Sequence, residues 1–102
     1  MIALVDSRRA ELTDLCRRLH VRRLELFGSA ARDDFDPASS DLDFLVEFEA
    51  GNGSRALDTY FGLKEALERL FGRHVDLVMP DAVRNPYVKA DIERSRKLIY
   101  AA

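Results

Sequence analysis

In residues 41–48, DLDFLVEF, every second side chain is apolar, and the positions between them carry Asp41, Asp43, Leu45 and Glu47. Successive side chains of a β-strand point to opposite faces of the sheet, so this pattern predicts a strand with one buried face. The buried face carries Leu42, Phe44, Val46 and Phe48. The other face begins with Asp41 and Asp43. The chain must therefore build a sheet with a core on one side, and this strand must present two carboxylates side by side where it begins.

Three other segments bear on the same sheet. RRLELFGS, residues 22–29, alternates in the same way and ends at Gly28. RHVDLVMP, residues 73–80, places Asp76 on the face opposite the apolar residues at positions 75 and 77. KLIYAA, residues 97–102, fits either a short final strand or a packed tail. The sequence thus predicts at least three strands, two of which combine aspartates with apolar residues.

Apolar residues at helical spacing predict three helices. The first ends near His20, and the second follows a Gly- and Ser-rich linker at residues 49–58. The third begins after Asn85, which precedes Pro86 as an N-cap, and ends near Ser95. The apolar stripe of the second helix is formed by Phe61, Leu63, Leu67, Leu70 and Phe71.

Composition limits the class of protein. With 102 residues, of which 47% are hydrophobic and 33% charged, the chain predicts one globular domain spanning residues 1–102. Lys and Arg number 16 against 18 Asp and Glu, so no basic surface for direct nucleic-acid binding is expected. The single cysteine, Cys16, fits a small core residue and a reducing compartment, which predicts a cytoplasmic protein. No apolar run reaches the roughly 20 residues that span a bilayer, so no membrane association is expected.

Three carboxylates, those of Asp41, Asp43 and Asp76, are set within otherwise apolar strand sequences. Burying a carboxylate is costly unless a cation or a hydrogen-bond donor compensates it. Mg²⁺ prefers oxygen ligands and usually takes one or two carboxylates together with substrate phosphates. Two aspartates on one strand face, with a third from a neighbouring strand, suit a two-metal site for phosphoryl displacement. Taken singly, each could instead lie at a solvated strand end.

Gly28 and Ser29 come directly before residues 30–40, which predict a short helical turn and then a loop. A glycine lets the backbone approach a phosphate closely, and the first N–H groups of a helical turn attract anions. The Ser29 hydroxyl adds a donor. Taken alone, Gly-Ser is an ordinary capped turn. Combined with the aspartates that follow it, the turn predicts a site for a nucleoside triphosphate.

Four segments together resemble the DNA polymerase beta-like nucleotidyltransferase superfamily: LELFGSAARDD, SDLDFLVEF, ALERLFGRHVDLV and RNPYVKADIERSRKLIY. The signature of that superfamily is a Gly-Ser turn, a short spacer, an Asp-x-Asp pair and a third carboxylate on a later strand. Within it, the chain is most similar to the minimal nucleotidyltransferases, small antitoxins encoded beside HEPN-domain ribonuclease toxins. The resemblance covers nearly the whole chain. It implies an α+β (α/β) fold with a small mixed β-sheet and helices packed on one side.

The resemblance also implies roles for individual residues. Gly28 and Ser29 would contact the nucleotide phosphates. Asp41 and Asp43 would bind catalytic magnesium, with two ions expected in the site. Asp76 would be the third carboxylate, either bridging a metal or helping to activate the incoming hydroxyl.

Two features of the GSAAR segment and its spacer stay open. Arg32 lies where the family often has an arginine, and a phosphate contact and a surface ion pair are equally compatible with that position. The spacer, residues 30–40, is one residue longer than the commonest antitoxin pattern. The extra residue belongs in the loop around Pro37-Ala38-Ser39, so the departure affects the loop more than the site.

The implied activity is the transfer of AMP from ATP, with loss of pyrophosphate, to a tyrosine hydroxyl of a HEPN toxin encoded by a neighbouring gene. Modification would silence the ribonuclease, and the two proteins would form a hetero-oligomer. One alternative is an inactive antitoxin that neutralises the toxin by binding alone. Another is a nucleotidyltransferase for a small molecule or an RNA end, which the short chain disfavours because those relatives usually append a domain that grips the acceptor.

Two groups of side chains allow alternative interpretations. The aromatic residues fit either cover for the core or anchors for a partner; they are Tyr60, Phe61, Tyr87 and Tyr100. A basic cluster at the end of the last helix suits a solvated face near the negative end of the helix dipole, and a triphosphate contact is the alternative. That cluster consists of Arg94, Arg96 and Lys97.

Overall fold

The computed structural model describes residues 2–32, 34–38, 40–51 and 56–102. The helices are α1 (Ala3–Asp6), α2 (Arg9–Arg18), α3 (Ser29–Arg32), α4 (Ala56–Phe71) and α5 (Pro86–Ser95). The strands are β1 (Val21–Phe27), β2 (Leu42–Phe48), β3 (Val75–Val78) and β4 (Lys97–Ala101), and a 3₁₀ turn at Pro80–Ala82 follows β3. No helix within the described ranges is long and apolar enough to cross a membrane.

The four strands form one mixed sheet in the order β3-β2-β1-β4. β1 pairs antiparallel with both β2 and β4, while β2 pairs parallel with β3. The mixed sheet is therefore confirmed, and the segment at residues 97–102 supplies a strand rather than a tail.

The main core lies on the face of the sheet that the alternation of β2 predicted. Leu42, Phe44 and Val46 have no exposed surface, and the Phe44 ring stacks on Phe71 of α4 with centroids 6.0 Å apart. α2 contributes the fully buried Cys16, and its burial raises the pKa of the thiol to about 12. The interpretation of this cysteine as an inert core residue is confirmed.

The opposite face of the sheet carries a smaller apolar cluster. Phe27 of β1 and Leu45 of β2 pack there with Val83 and with Ile92 of α5. The expected packing of helices on one side therefore describes α2 and α4, whereas α5 lies across the other face. The physical reason is that Phe27 and Leu45 alternate with the main core residues and need their own cover.

The helices differ from the prediction in three places. The first helical region consists of α1 and α2, and α2 ends at Arg18. α4 begins at Ala56, inside the predicted linker, of which residues 52–55 lie outside the described part of the chain. Phe61 was assigned to the apolar stripe of this helix, with core cover and a partner anchor both left open, and its side chain is 56% exposed and meets Tyr60 edge to face. The buried stripe of α4 therefore includes Leu63, Leu67 and Phe71 but not Phe61.

Candidate active site

The strand registers bring two of the three predicted carboxylates together. Asp43 of β2 lies opposite Asp76 in the parallel pairing with β3. Both side chains point to the face away from the main core, because both alternate with buried residues. In the antiparallel pairing with β1, Asp43 lies opposite Phe27. The residue that follows Phe27 is Gly28, so the glycine turn, which we define as residues 28–32, begins beside this carboxylate pair.

Asp43 is in an unfavourable position for a negative charge. It is half-buried, and burial is the largest influence that raises the pKa of its carboxyl group, to about 7. The charge of Asp76 and a hydrogen bond with it act in the same direction, followed by the charges of Asp41 and Asp91. Near neutral pH the Asp43 carboxyl group is therefore partly protonated and can donate a hydrogen bond to Asp76.

This donor set fits a divalent cation. Two adjacent carboxylates repel each other, and a hard cation bound between them would remove that repulsion and displace the proton from Asp43. Mg²⁺ takes one or two carboxylates and completes its ligands with water and phosphate oxygens. The pair formed by Asp43 and Asp76 therefore provides the ligands that such an ion requires from the protein.

Asp41 is placed differently from the other two. Its carboxylate is half-exposed, and its Oδ2 lies 3.3 Å from Nδ1 of His74. Within the described ranges, no three His, Cys, Asp or Glu side chains are arranged to hold one metal ion together. Of the three expected carboxylates, Asp43 and Asp76 thus form a close pair. Asp41 is near enough to raise the pKa of Asp43, but its carboxylate contacts His74.

Gly28 has to be a glycine for two reasons. Its φ of 76° lies in the left-handed region, and a Cβ at this position would overlap the Asp43 carboxylate. The Gly28 carbonyl accepts the N–H groups of Ala31 and Arg32, each at 3.1 Å, which closes the turn into α3. Ser29, the first residue of α3, is partly buried directly after this glycine.

Two residues of α5 complete the surroundings of the glycine turn, and the sequence did not predict them. Ser95 accepts the Gly28 N–H at its Oγ over 2.9 Å, and Asp91 forms an ion pair with Arg32. The ion-pair interpretation of Arg32 is thus the one found in this structure. The available signal was weak: Asp91 and Ser95 are one helical turn apart on α5, which places them on one side of that helix.

Within the longer spacer, residues Asp36 and Ser40 are hydrogen-bonded to each other. Asp36 donates its N–H to Ser40 Oγ at 3.0 Å and accepts the Ser40 N–H at 2.8 Å. The Arg73 guanidinium lies over the Phe35 ring, 5.0 Å from its centroid. These contacts fix the described part of the loop; of Pro37-Ala38-Ser39, around which the extra residue was expected, Ser39 lies outside the described residues.

Comparison with known families gives a match over most of the chain. Residues 9–99 match the nucleotidyltransferase domain family. A proposed protein adenylyltransferase from Methanocaldococcus jannaschii is 41% identical over 80 residues, which cover 78% of this chain and 76% of that protein. A sequence relationship of this extent indicates that the two proteins share their fold and the general class of reaction.

Solved structures show the same architecture. The structure of a proposed minimal nucleotidyltransferase superposes with a TM-score of 0.73 at 36% identity, covering 94% of this chain and 95% of the other. A complex of a tri-AMPylated Shewanella oneidensis HEPN toxin with its MNT antitoxin contains a chain that matches with a TM-score of 0.63 at 16% identity. That match covers 95% of this chain and 72% of the other, and at this identity it shows a shared fold.

Proposed function

The chain belongs to the nucleotidyltransferase domain family, and on this premise we propose that it transfers AMP from ATP to a tyrosine hydroxyl of a partner HEPN ribonuclease toxin. Modification of the tyrosine would silence the toxin, so the protein would act as an antitoxin. The observation that carries this proposal is the Asp43–Asp76 pair beside Gly28, where metal ligands adjoin a turn suited to phosphate.

The proposed metal ligands are Asp43 and Asp76, with Asp41 as the third carboxylate. Magnesium bound there, as two ions, would neutralise the phosphates and stabilise the attacking and leaving oxygens of the displacement. Asp41 would have to exchange its contact with His74 for a contact with metal, a side-chain movement that its half-exposed position allows. Asp76 is the more exposed residue of the pair, and the carboxylate oxygen that it does not give to metal is the base that we propose for the tyrosine proton.

The glycine turn would hold the triphosphate. Because the Gly28 N–H is bonded to Ser95, the donors at the head of α3 are the N–H groups of Ser29 and Ala30, together with the Ser29 hydroxyl. Arg32 would add a guanidinium to the same phosphates. Gly28 itself would serve by letting the turn lie against Asp43, which brings phosphate and metal ligands close together.

The proposed reaction is an in-line displacement at the α-phosphorus of ATP. The tyrosine oxygen forms a bond to that phosphorus, the bond to the bridging oxygen of the β-phosphate breaks, and pyrophosphate leaves. The phenolic proton passes to the Asp76 carboxylate. A tyrosine hydroxyl has an ordinary pKa near 10, so such a base contributes by removing the proton as the bond forms.

The decisive experiment is an intact-mass measurement on the HEPN protein of the neighbouring gene after incubation with this chain, ATP and Mg²⁺. We expect a gain of whole AMP units, and we expect Asp43→Asn to lower the rate by at least about a hundredfold because a metal ligand is lost. Asp14→Asn, an exposed aspartate on α2, is the matched control and should act like the wild type.

Each other outcome has a definite meaning. Full transfer by the Asp43→Asn variant would contradict the assignment of the metal ligands. No mass gain with the wild-type chain, while the two proteins still co-purify, would replace the proposal with neutralisation by binding alone.

A further inference from the structure

On the basis of the proposed function, we propose that Ser95 and Asp91 of α5 are positioning residues for the glycine turn. The two residues hold opposite ends of the turn, Ser95 at Gly28 and Asp91 at Arg32. They would not contact the reacting atoms themselves. Their role would be to fix the directions of the groups that receive the triphosphate.

The Ser95 hydroxyl group both accepts and donates a hydrogen bond within the fold. The residue is 2% exposed, its Oγ accepts the Gly28 N–H at 2.9 Å, and its O–H donates to the Asp91 carbonyl at 2.6 Å. A hydroxyl group has a single proton to donate, so this proton is committed to α5 and the oxygen is left to accept from Gly28. The Gly28 N–H, which is buried, thus has a defined acceptor supplied by a different element of the fold.

The direction of this N–H fixes the peptide plane from which the turn begins. Because a peptide unit is planar, fixing the N–H of Gly28 fixes the carbonyl group of Phe27 in the same unit. The next donors, the N–H groups of Ser29 and Ala30, start from this fixed plane. Donors that are already aimed at a phosphate need no reorientation when it binds, which is the advantage of a preorganised site.

Asp91 acts at the other end of the turn. Its carboxylate is 28% exposed and pairs with the Arg32 guanidinium, and Arg94 lies 3.8 Å from the same oxygen. A free arginine side chain samples many rotamers, and the ion pair restricts Arg32 to the side of the turn that faces α5. The side chain is thereby held beside the phosphate site before any nucleotide arrives.

The helix that carries Ser95 and Asp91, α5, is itself held against the sheet. Ile92, next to Asp91, packs with Phe27 and Leu45, and Arg96, next to Ser95, donates two hydrogen bonds to the buried Glu25. α5 is therefore attached to β1 immediately before the glycine turn. A displacement of α5 would have to disturb this cluster and this ion pair.

The first test is the affinity for MgATP of Ser95→Ala, measured by isothermal titration calorimetry. We expect the dissociation constant to rise about tenfold, because the buried Gly28 N–H loses its acceptor. Ser95→Thr keeps the hydroxyl group and should bind close to wild-type affinity. Ser7→Ala, which removes an exposed serine hydroxyl from the end of α1, is the matched control.

Hydrogen exchange of the Gly28 amide gives a readout independent of activity. It should be slow in the wild type and in Ser95→Thr, and fast in Ser95→Ala. A Ser95→Ala variant that melts at a lower temperature but keeps wild-type affinity for MgATP would overturn the proposal, since Ser95 would then have a structural role only.

The second test is a double-mutant cycle on Asp91 and Arg32. If Asp91 acts through Arg32, Asp91→Asn should weaken MgATP binding in the wild-type background and have no further effect in the Arg32→Gln background. Tighter binding by Asp91→Asn would overturn this part of the proposal, because Asp91 would then only repel the triphosphate.

These measurements also separate this proposal from the proposed function. The affinity for MgATP can be measured whether or not AMP is transferred to a HEPN protein. A wild-type chain that binds MgATP but modifies no partner would refute the proposed function and leave the Ser95 test valid. Transfer by the wild type with unchanged affinity in both α5 variants would refute the positioning role alone.

Discussion

Gly28 is constrained by its own backbone and by its neighbour at the same time. The left-handed φ of 76° strains any residue with a side chain, and the Asp43 carboxylate occupies the space of a Cβ. Glycine at this position therefore permits both the direction of the turn and its distance from the proposed metal ligands. Another residue would remain unfavourable at this position if only the overlap with Asp43 were removed, or only the left-handed φ.

Gly28→Ala tests this double constraint. We expect a loss of about 1 to 3 kcal/mol in the free energy of unfolding, together with loss of MgATP binding, because the methyl group displaces Asp43. Gly62→Ala is the control, since Gly62 lies within α4 and a Cβ there would meet nothing within 4 Å. That substitution should stabilise the protein by about 0.5 to 1 kcal/mol. Urea denaturation measures both, and a Gly28→Ala variant as stable as the wild type would contradict the steric argument.

At the scale of elements, α5 determines most of what surrounds the glycine turn. Its beginning is specified locally: Asn85 accepts the Tyr87 N–H at 2.8 Å, and Pro86 occupies the first helical position. Its C-terminal half then provides Asp91 and Ser95. A change at the start of the helix should therefore affect stability without altering the contacts at the turn.

Asn85→Ala should lower the free energy of unfolding by about 1 kcal/mol, because one N–H group of the first turn loses its acceptor. Asn85→Asp keeps an acceptor at this position and should retain wild-type stability. Chemical denaturation followed by circular dichroism measures the difference. Equal stability of the alanine variant would show that the cap contributes nothing to α5.

The features that sequence could predict are those encoded over short distances. The alternation in residues 41–48 fixed the core face of β2, and Asn85-Pro86 marked the start of α5, because a strand repeat and a helix cap are local patterns. The bond from Gly28 to Ser95 joins residues 67 positions apart and leaves no local pattern. Asp91 was missed for the same reason, since its pairing with Arg32 spans 59 positions.

Arg96 shows the limit of local reasoning most clearly. Its position at the end of a helix predicted a solvated cation, and the residue is exposed, but its guanidinium also reaches Glu25 on β1, a contact that the sequence did not predict. Glu25 alternates with buried residues, which placed it on the face opposite the main core. What could not be predicted was that α5 covers this face and brings a cation to it.

For the molecule as a whole, the Glu25–Arg96 pair joins the C-terminal elements to the sheet. Glu25 is 3% exposed and accepts hydrogen bonds from Arg96, at 2.6 and 2.9 Å, and from Arg23, at 3.0 Å. The hydrogen bonds from Arg96 are the largest influence on the pKa of Glu25. Together with the hydrogen bond from Arg23 they lower this pKa, although burial acts to raise it. The carboxylate therefore stabilises the folded state only while it is ionised.

This lowered pKa predicts how stability depends on pH. As the pH falls below about 4.3, the ordinary pKa of glutamate, the unfolded state takes up the proton first, so the stabilisation is progressively lost. We expect Glu25→Gln to be less stable than the wild type by about 2 kcal/mol at pH 7. The difference should shrink between pH 5 and the lowered pKa of Glu25.

Thermal unfolding of both proteins across this pH range measures the effect. Glu65→Gln, an exposed change on α4, is the matched control and should follow the wild-type profile. A constant difference between wild type and Glu25→Gln at every pH would show that ionisation of Glu25 does not contribute to stability.

The sheet order has a consequence for the growing polypeptide on the ribosome. β1 is made early, yet the α5 residue that receives the Gly28 N–H, Ser95, and the neighbouring strand β4 are translated only near the end of the 102-residue sequence. Contacts between such distant segments form late, since the intervening chain must first be made. A nascent chain arrested before Ser95 should therefore capture no ATP, and competence to bind nucleotide would be acquired only when the last strand has left the exit tunnel.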